Sequence, residues 1–108
     1  MEVERVSEFK GKTLEEVADI LNHSWNWVSG GIPITWGELI EKVFGTDARN
    51  IVVRKAIFSV WTTEREVGIT YNYELEMEVD KEIGECREEL YYRTIKCSGN
   101  KIRLYGCK

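Results

Sequence analysis

The chain reads as an α+β domain in which two N-terminal helices pack on a four-stranded antiparallel β-meander. Three observations predict it. Two Thr-x-x-Glu boxes each open an apolar run of helical spacing, the apolar period changes to two from residue 51 onward, and Gly99-Asn100 marks a tight turn between the last two runs. The 108 residues carry 43% hydrophobic and 31% charged residues, a composition that excludes a disordered chain and fits one domain over 1–108.

The first helix is expected over 13–28. In Thr13-Leu14-Glu15-Glu16 the threonine hydroxyl can accept a backbone N–H while Glu16 reaches back to the N–H of Thr13. Leu14, Val17, Ala18, Leu21, Trp25 and Val28 then form one apolar stripe, and Gly30-Gly31 ends it. The second helix is expected over 35–44. Thr35-Trp36-Gly37-Glu38 caps it, Ile34 can staple onto Leu39, and Trp36, Leu39, Ile40, Val43 and Phe44 share one face before Gly45. Residues 1–10 carry no decisive period.

Four strands are expected at 51–62, 67–79, 86–97 and 101–107. The first is apolar on both sides and reads as a central strand covered on both faces, with Ile57 and Trp61 in the sheet interior. The second alternates Val67, Ile69, Tyr71, Tyr73, Leu75, Met77 and Val79 with polar residues, Glu74, Glu76 and Glu78 among them. Three carboxylates on one face could perturb one another or hold a cation, but the plainer expectation is a solvated face neutralised by Arg54, Arg87 or Arg93. Gly99-Asn100 as a type II′ turn sets Ile95 opposite Leu104, Lys96 opposite Arg103 and Cys97 opposite Ile102, so apolar meets apolar. The same register extended across 86–97 sets Cys107 opposite Tyr92.

Several function classes fall away on composition. With 15 Lys+Arg against 19 Asp+Glu the net charge is −4, too acidic for generic binding to nucleic acid or an anionic membrane. No apolar stretch is long enough to span a bilayer, and the charged N-terminal residues are no secretory signal, so a cytoplasmic protein is expected. The absence of glutamine and the wealth of Glu, Lys and Arg resemble the bias of thermophile proteins. Cys86, Cys97 and Cys107 are an odd number at spacings that match no zinc site, and free thiols serving as small hydrophobes are expected. Gly11-Lys12-Thr13 looks like the end of a phosphate-binding loop but lacks the glycine five residues upstream, and a helix cap explains the same residues. No catalytic constellation, metal set or cofactor motif emerges, so the chain leans away from being an enzyme.

Tryptophan is abundant, with 4 in the chain. If the first helix reaches residue 28, Ile20, His23 and Trp27 form a second stripe on the side away from the core. An exposed tryptophan beside an aliphatic residue is a candidate interface. The leading expectation is therefore a protein-interaction module, as a homodimer or with another protein partner. The alternative is a small-ligand binder or enzyme with an aromatic pocket between helices and sheet. Trp25, Tyr71, Tyr73, Tyr91 and Tyr92 would line that pocket, and an inward His23 would be its one acid–base group near neutrality.

Overall fold

The computed structural model describes residues 3–5, 8–25 and 34–107. Helix α1 spans Leu14–Trp25 and α2 spans Trp36–Phe44, followed directly by a 3-10 helix, Gly45–Arg49. The capping box of α1 forms as the sequence predicts: the Thr13 N–H donates to Glu16 Oε1 (3.0 Å) and the Glu16 N–H to Thr13 Oγ1 (3.2 Å). Gly11-Lys12-Thr13 is absorbed in this cap and in backbone pairing with residues 51–53. At α2 the Glu38 N–H donates to Thr35 Oγ1 (3.1 Å), and Gly45 at φ 58° closes the helix.

The strands are β1 (Val3–Arg5), β2 (Val53–Arg65), β3 (Gly68–Val79), β4 (Cys86–Leu90), β5 (Arg93–Ser98) and β6 (Lys101–Cys107). They form one antiparallel sheet in the order β1-β2-β3-β6-β5-β4, with three-residue β1 at one edge and β4 at the other. The fold is thus α+β with an antiparallel sheet, but it is not a four-stranded meander. Strand β6 inserts beside β3, so β3 to β6 follow a Greek-key order, and residues 80–85 cross the end of the sheet to reach the far edge. That connection is tied to the β5–β6 turn by the Ile83 and Gly84 N–H groups, both donating to Gly99 O (2.8 and 3.0 Å).

The second correction is the segment expected as one strand over 86–97. It folds back on itself at Tyr91-Tyr92, giving β4 and β5 with Leu90 opposite Arg93. Cys107 consequently pairs with Asn72 on β3 rather than with Tyr92. Beyond the new turn the register set by Gly99-Asn100 holds: Ile95 faces Leu104, Lys96 faces Arg103 and Cys97 faces Ile102.

One face of the sheet meets the helices. Val53, Ala56, Phe58, Tyr73, Leu75, Met77, Val79, Ile95, Cys97, Ile102 and Leu104 are buried there against Leu14, Val17, Ala18 and Leu21 of α1, Trp36, Leu39 and Ile40 of α2, and Phe9. A bulge between Val53 and Lys55 adds a residue to β2 and switches its parity, which is why Val53 and Ala56 both point inward. Beyond the bulge Ile57 and Trp61 fall on the outer face, against the expectation of an interior place. Ile57 is 43% exposed, and Trp61 stacks on Tyr105 with ring centroids 6.0 Å apart.

Candidate functional site

The side chains that set the geometry of one sheet end stand in a single row. Arg93, Gly106, Tyr73 and Val60 are direct cross-strand neighbours on β5, β6, β3 and β2. Glycine is required in this row because a Cβ on Gly106 would lie 2.3 Å from Tyr73 Cζ. The Tyr73 ring therefore lies across β6, where its hydroxyl accepts a hydrogen bond from Trp36 Nε1 (2.9 Å). Burial pushes this hydroxyl above the ordinary tyrosine value, and the Trp36 and Arg93 groups bonded to it pull the other way. Arg93 is only 6% exposed. Its guanidinium donates to Ile34 O (2.7 Å) and lies 5.7 Å from the Trp36 ring centroid, so the buried cation is held by a carbonyl and an aromatic face. The Trp36 backbone N–H donates to Asn22 Oδ1 (2.6 Å), which joins α1 to the start of α2.

Past this row the sheet end becomes apolar and exposed. Tyr91 and Tyr92 are the two central residues of the β4–β5 turn and have φ of 50° and 65°. Positive φ at both positions is the type I′ requirement, normally met by Asn-Gly, and a bulky residue held there costs roughly 1–3 kcal/mol. Tyr92 is nonetheless 76% exposed, so no packing of its ring recovers that cost within the described residues. Across the same end, β2 and β3 continue as a two-stranded ribbon to the turn at Glu66-Val67. Val67 at its tip is 97% exposed, and Ile69 and Tyr71 behind it are also exposed. By alternation Ile69 and Tyr71 share the face of Tyr73. Strands β3 and β5 flank β6, so they lie about 10 Å apart at ~4.8 Å per strand spacing, and Val67 at the ribbon tip stands roughly 20 Å beyond Tyr73 at ~3.3 Å per residue.

The opposite end of the β4–β5 hairpin is closed covalently. Cys86 and Cys97 are direct cross-strand partners, Cα atoms 4.6 Å apart, and form a disulfide. The expectation of free thiols is thereby corrected for these two, while Cys107 is free and half-buried. Among the described residues strand β4 has one strand neighbour. Its further ties are a Glu88–Lys42 ion pair to α2 (3.0 Å) and an Arg87–Glu89 pair along its own outer face.

Two grooves lie elsewhere. One, of about 410 Å³, runs between α1, α2 and the 3-10 helix and is lined by Glu15, Asp19, Glu38 and Glu41 with Arg49. The other, of about 420 Å³, lies over β4 to β6 beside Arg87, Lys96, Lys101 and Arg103. On this outer face the glutamate stripe is partly offset, though not by the expected arginines: Arg103 bridges Glu74 and Glu76 (both 3.1 Å), and the uncharged Asn100 Nδ2 donates to Glu78 (3.5 Å). Beside it Asn72 is buried, accepting from the Tyr105 hydroxyl and donating to Thr63 Oγ1 (both 3.0 Å). Partial burial, Cys107 and Glu74 all push the Tyr105 hydroxyl above its usual value.

Of the residues expected as an interface stripe, Ile20 is half-buried against the core and His23 is exposed in the last turn of α1. Ile20 is thus not on a side facing away from the core, and Trp27 lies outside the described residues. Of the expected pocket, Tyr73 is a core residue, whereas Tyr71, Tyr91 and Tyr92 are exposed and line neither groove. The Trp25 side chain lies outside the described residues. An inward-pointing His23, which the enzymatic alternative needs, is not what the structure has. The disulfide was missed because the turn was missed. Cys86 stands five residues before Tyr91 and Cys97 five after Tyr92, so a turn centred on the tyrosine pair would have set them face to face.

Among the described residues no helix is long and apolar enough to cross a membrane, and no group of His, Cys, Asp and Glu is arranged to hold a metal ion. Comparison with protein-family models, with curated proteins and with solved structures returned no match.

Proposed function

We propose that the chain is a non-enzymatic protein-interaction module, and that it associates with a second copy of itself through the apolar end of its sheet. The observation that carries this reading is where the exposed apolar side chains lie. Val67, Ile69, Tyr71, Tyr91 and Tyr92 make up nearly all of the large exposed hydrophobic residues described, and the strand register brings them to one end of the molecule. Single exposed hydrophobics need no explanation, but a cluster confined to one end is the mark of a contact surface.

A second copy suits this end for two reasons. Symmetric dimers are the commonest assemblies and need one self-complementary patch. The ribbon tip also alternates Glu64, Arg65 and Glu66, so two tips related by a two-fold axis can set arginine against glutamate around the apolar centre. Tyrosine supports the reading too, since it gives large contact area at low side-chain entropy cost.

Sedimentation of the oxidised protein tests this. Val67 and Tyr71 are exposed, so Val67→Glu and Tyr71→Ser should leave the fold intact while each weakens self-association by about tenfold or more, ~1.4 kcal/mol. A wild-type protein that stays monomeric at high micromolar concentration sinks the homodimer.

A further inference from the structure

The β4–β5 hairpin is under opposing influences at its two ends. At one end two tyrosines occupy a left-handed turn that bulky side chains avoid. At the other end a disulfide holds the strands together. Between them, among the described residues, β4 is held by one neighbouring strand and by side chains that are only partly buried. It is an edge strand of five residues, its inward apolar side chains Cys86 and Leu90 are half-buried, the Glu88–Lys42 ion pair is partly exposed and the Arg87–Glu89 pair is exposed.

We propose that the Cys86–Cys97 disulfide is a redox latch that holds Tyr91 and Tyr92 in their displayed conformation, so that reduction dismantles the interaction surface without unfolding the domain. The inference rests on the reading that the tyrosine turn belongs to that surface. Burial orders the chemistry, since Cys86 is half-exposed while Cys97 is buried at 4% exposure. The thiolate of an external dithiol attacks Cys86 Sγ, the S–S bond breaks, and Cys97 leaves as a thiolate that takes up a proton. The second thiol of the reductant attacks the mixed disulfide and releases Cys86, which is protonated in turn. Two electrons and two protons enter the hairpin, and the dithiol departs as its own disulfide. Strand β4 is then free to part from β5, and the two tyrosines can return to negative φ. Strand β5 stays in the sheet, because Arg93, Ile95 and Cys97 remain buried against β6 and the helices.

The test is amide hydrogen exchange and sedimentation of the wild-type protein, oxidised and dithiol-reduced, with backbone coupling constants reporting φ at Tyr91 and Tyr92. On reduction, exchange at β4 should rise by about tenfold or more while the amides of Phe58, Leu75 and Leu104 keep their protection. Both tyrosines should lose positive φ, and self-association should weaken by about tenfold. The double variant Tyr91→Asn, Tyr92→Gly, read by exchange alone, has a turn that favours this geometry and should keep β4 closed in both states. Unchanged β4 protection in the reduced wild type overturns the latch, as does loss of core protection together with that of β4. If β4 opens on reduction but no self-association is seen in either state, the latch stands and the interaction reading fails.

Discussion

Strand β5 begins and ends in a two-residue turn, and the two turns are built on opposite terms. Gly99-Asn100 places glycine at φ 62° and needs nothing else: the residue type suits the backbone, the flanking register follows, and the connection from β3 hydrogen-bonds onto it. Tyr91-Tyr92 demands left-handed conformation of two aromatic residues, and no local preference supplies it. What supplies it is non-local. Arg93 is drawn under Trp36 and onto Ile34 O just after the turn, and Cys86 is bonded to Cys97 beyond it. One turn is specified by its own sequence and the other by what its flanks are attached to. The second kind stores strain at a surface, where a partner or a reductant can act on it.

The largest expected effect comes from breaking the row that anchors the strained end. Gly106→Ala forces a Cβ into the Tyr73 ring and displaces its hydroxyl from Trp36 Nε1, and should cost about 3 kcal/mol in urea unfolding. A loss under about 1 kcal/mol would mean that β6 gives way freely there. The two turns should then answer opposite substitutions, one adding and one removing bulk at positive φ, with opposite signs. Gly99→Val is expected to destabilise by about 1–2 kcal/mol, and Tyr91→Asn with Tyr92→Gly to stabilise the oxidised protein by a similar amount. Equal signs would erase the contrast.

Smaller effects depend on pH. The Tyr73 hydroxyl titrates higher in the folded protein than its ordinary value of 10.0, chiefly through burial, so the folded state holds that proton more tightly. Its contribution is complete below 10.0 and is lost as pH rises through the raised value. Tyr73→Phe should therefore flatten part of the alkaline decline in stability, with Tyr105, also raised, accounting for what is left. The smallest effect lies far from both turns. Hydrogen bonding to the Thr13 backbone N–H holds the exposed Glu16 carboxyl below its usual 4.5, so its support of α1 is present above 4.5 and fades as pH falls through the lowered value. Glu16→Gln should remove a slight part of the acid limb and leave the tyrosine turn unchanged in backbone coupling constants.

The same division governs how much was legible in the sequence. The capping box of α1, the Thr35 cap of α2, the buried stripe from Leu14 to Leu21 and the pairing of Ile95 with Leu104 follow from residues within a few positions of one another, and each is found in the structure. The break at Tyr91-Tyr92 is not local. Tyrosine favours strands, so the run from Cys86 to Cys97 looked continuous, and the disulfide was hidden with the turn. A run apolar on both sides suggests cover on both faces, but the helices cover one, and the bulge after Val53 turns Ile57 and Trp61 to the other. Arg93 was read as a surface cation because nothing nearby in sequence shows that Trp36 and Ile34 receive it. The apolar end of the sheet was partly in view, since Tyr71, Tyr91 and Tyr92 were singled out together. That all three are exposed at one end of the sheet follows only from the register.

The place of β6 bears on how the chain is made. It is the last strand in sequence yet lies in the middle of the sheet, bonded on both sides by β3 and β5. Until residues 101–107 have emerged from the ribosome, β3 can pair with β2 and β5 with β4, but each presents an unpaired edge on the side that β6 will fill. A nascent chain in that state is a template for pairing with other chains. Synthesis is therefore the interval in which this domain most needs a chaperone, and a released chain truncated just before Lys101 should be a species that a chaperone binds.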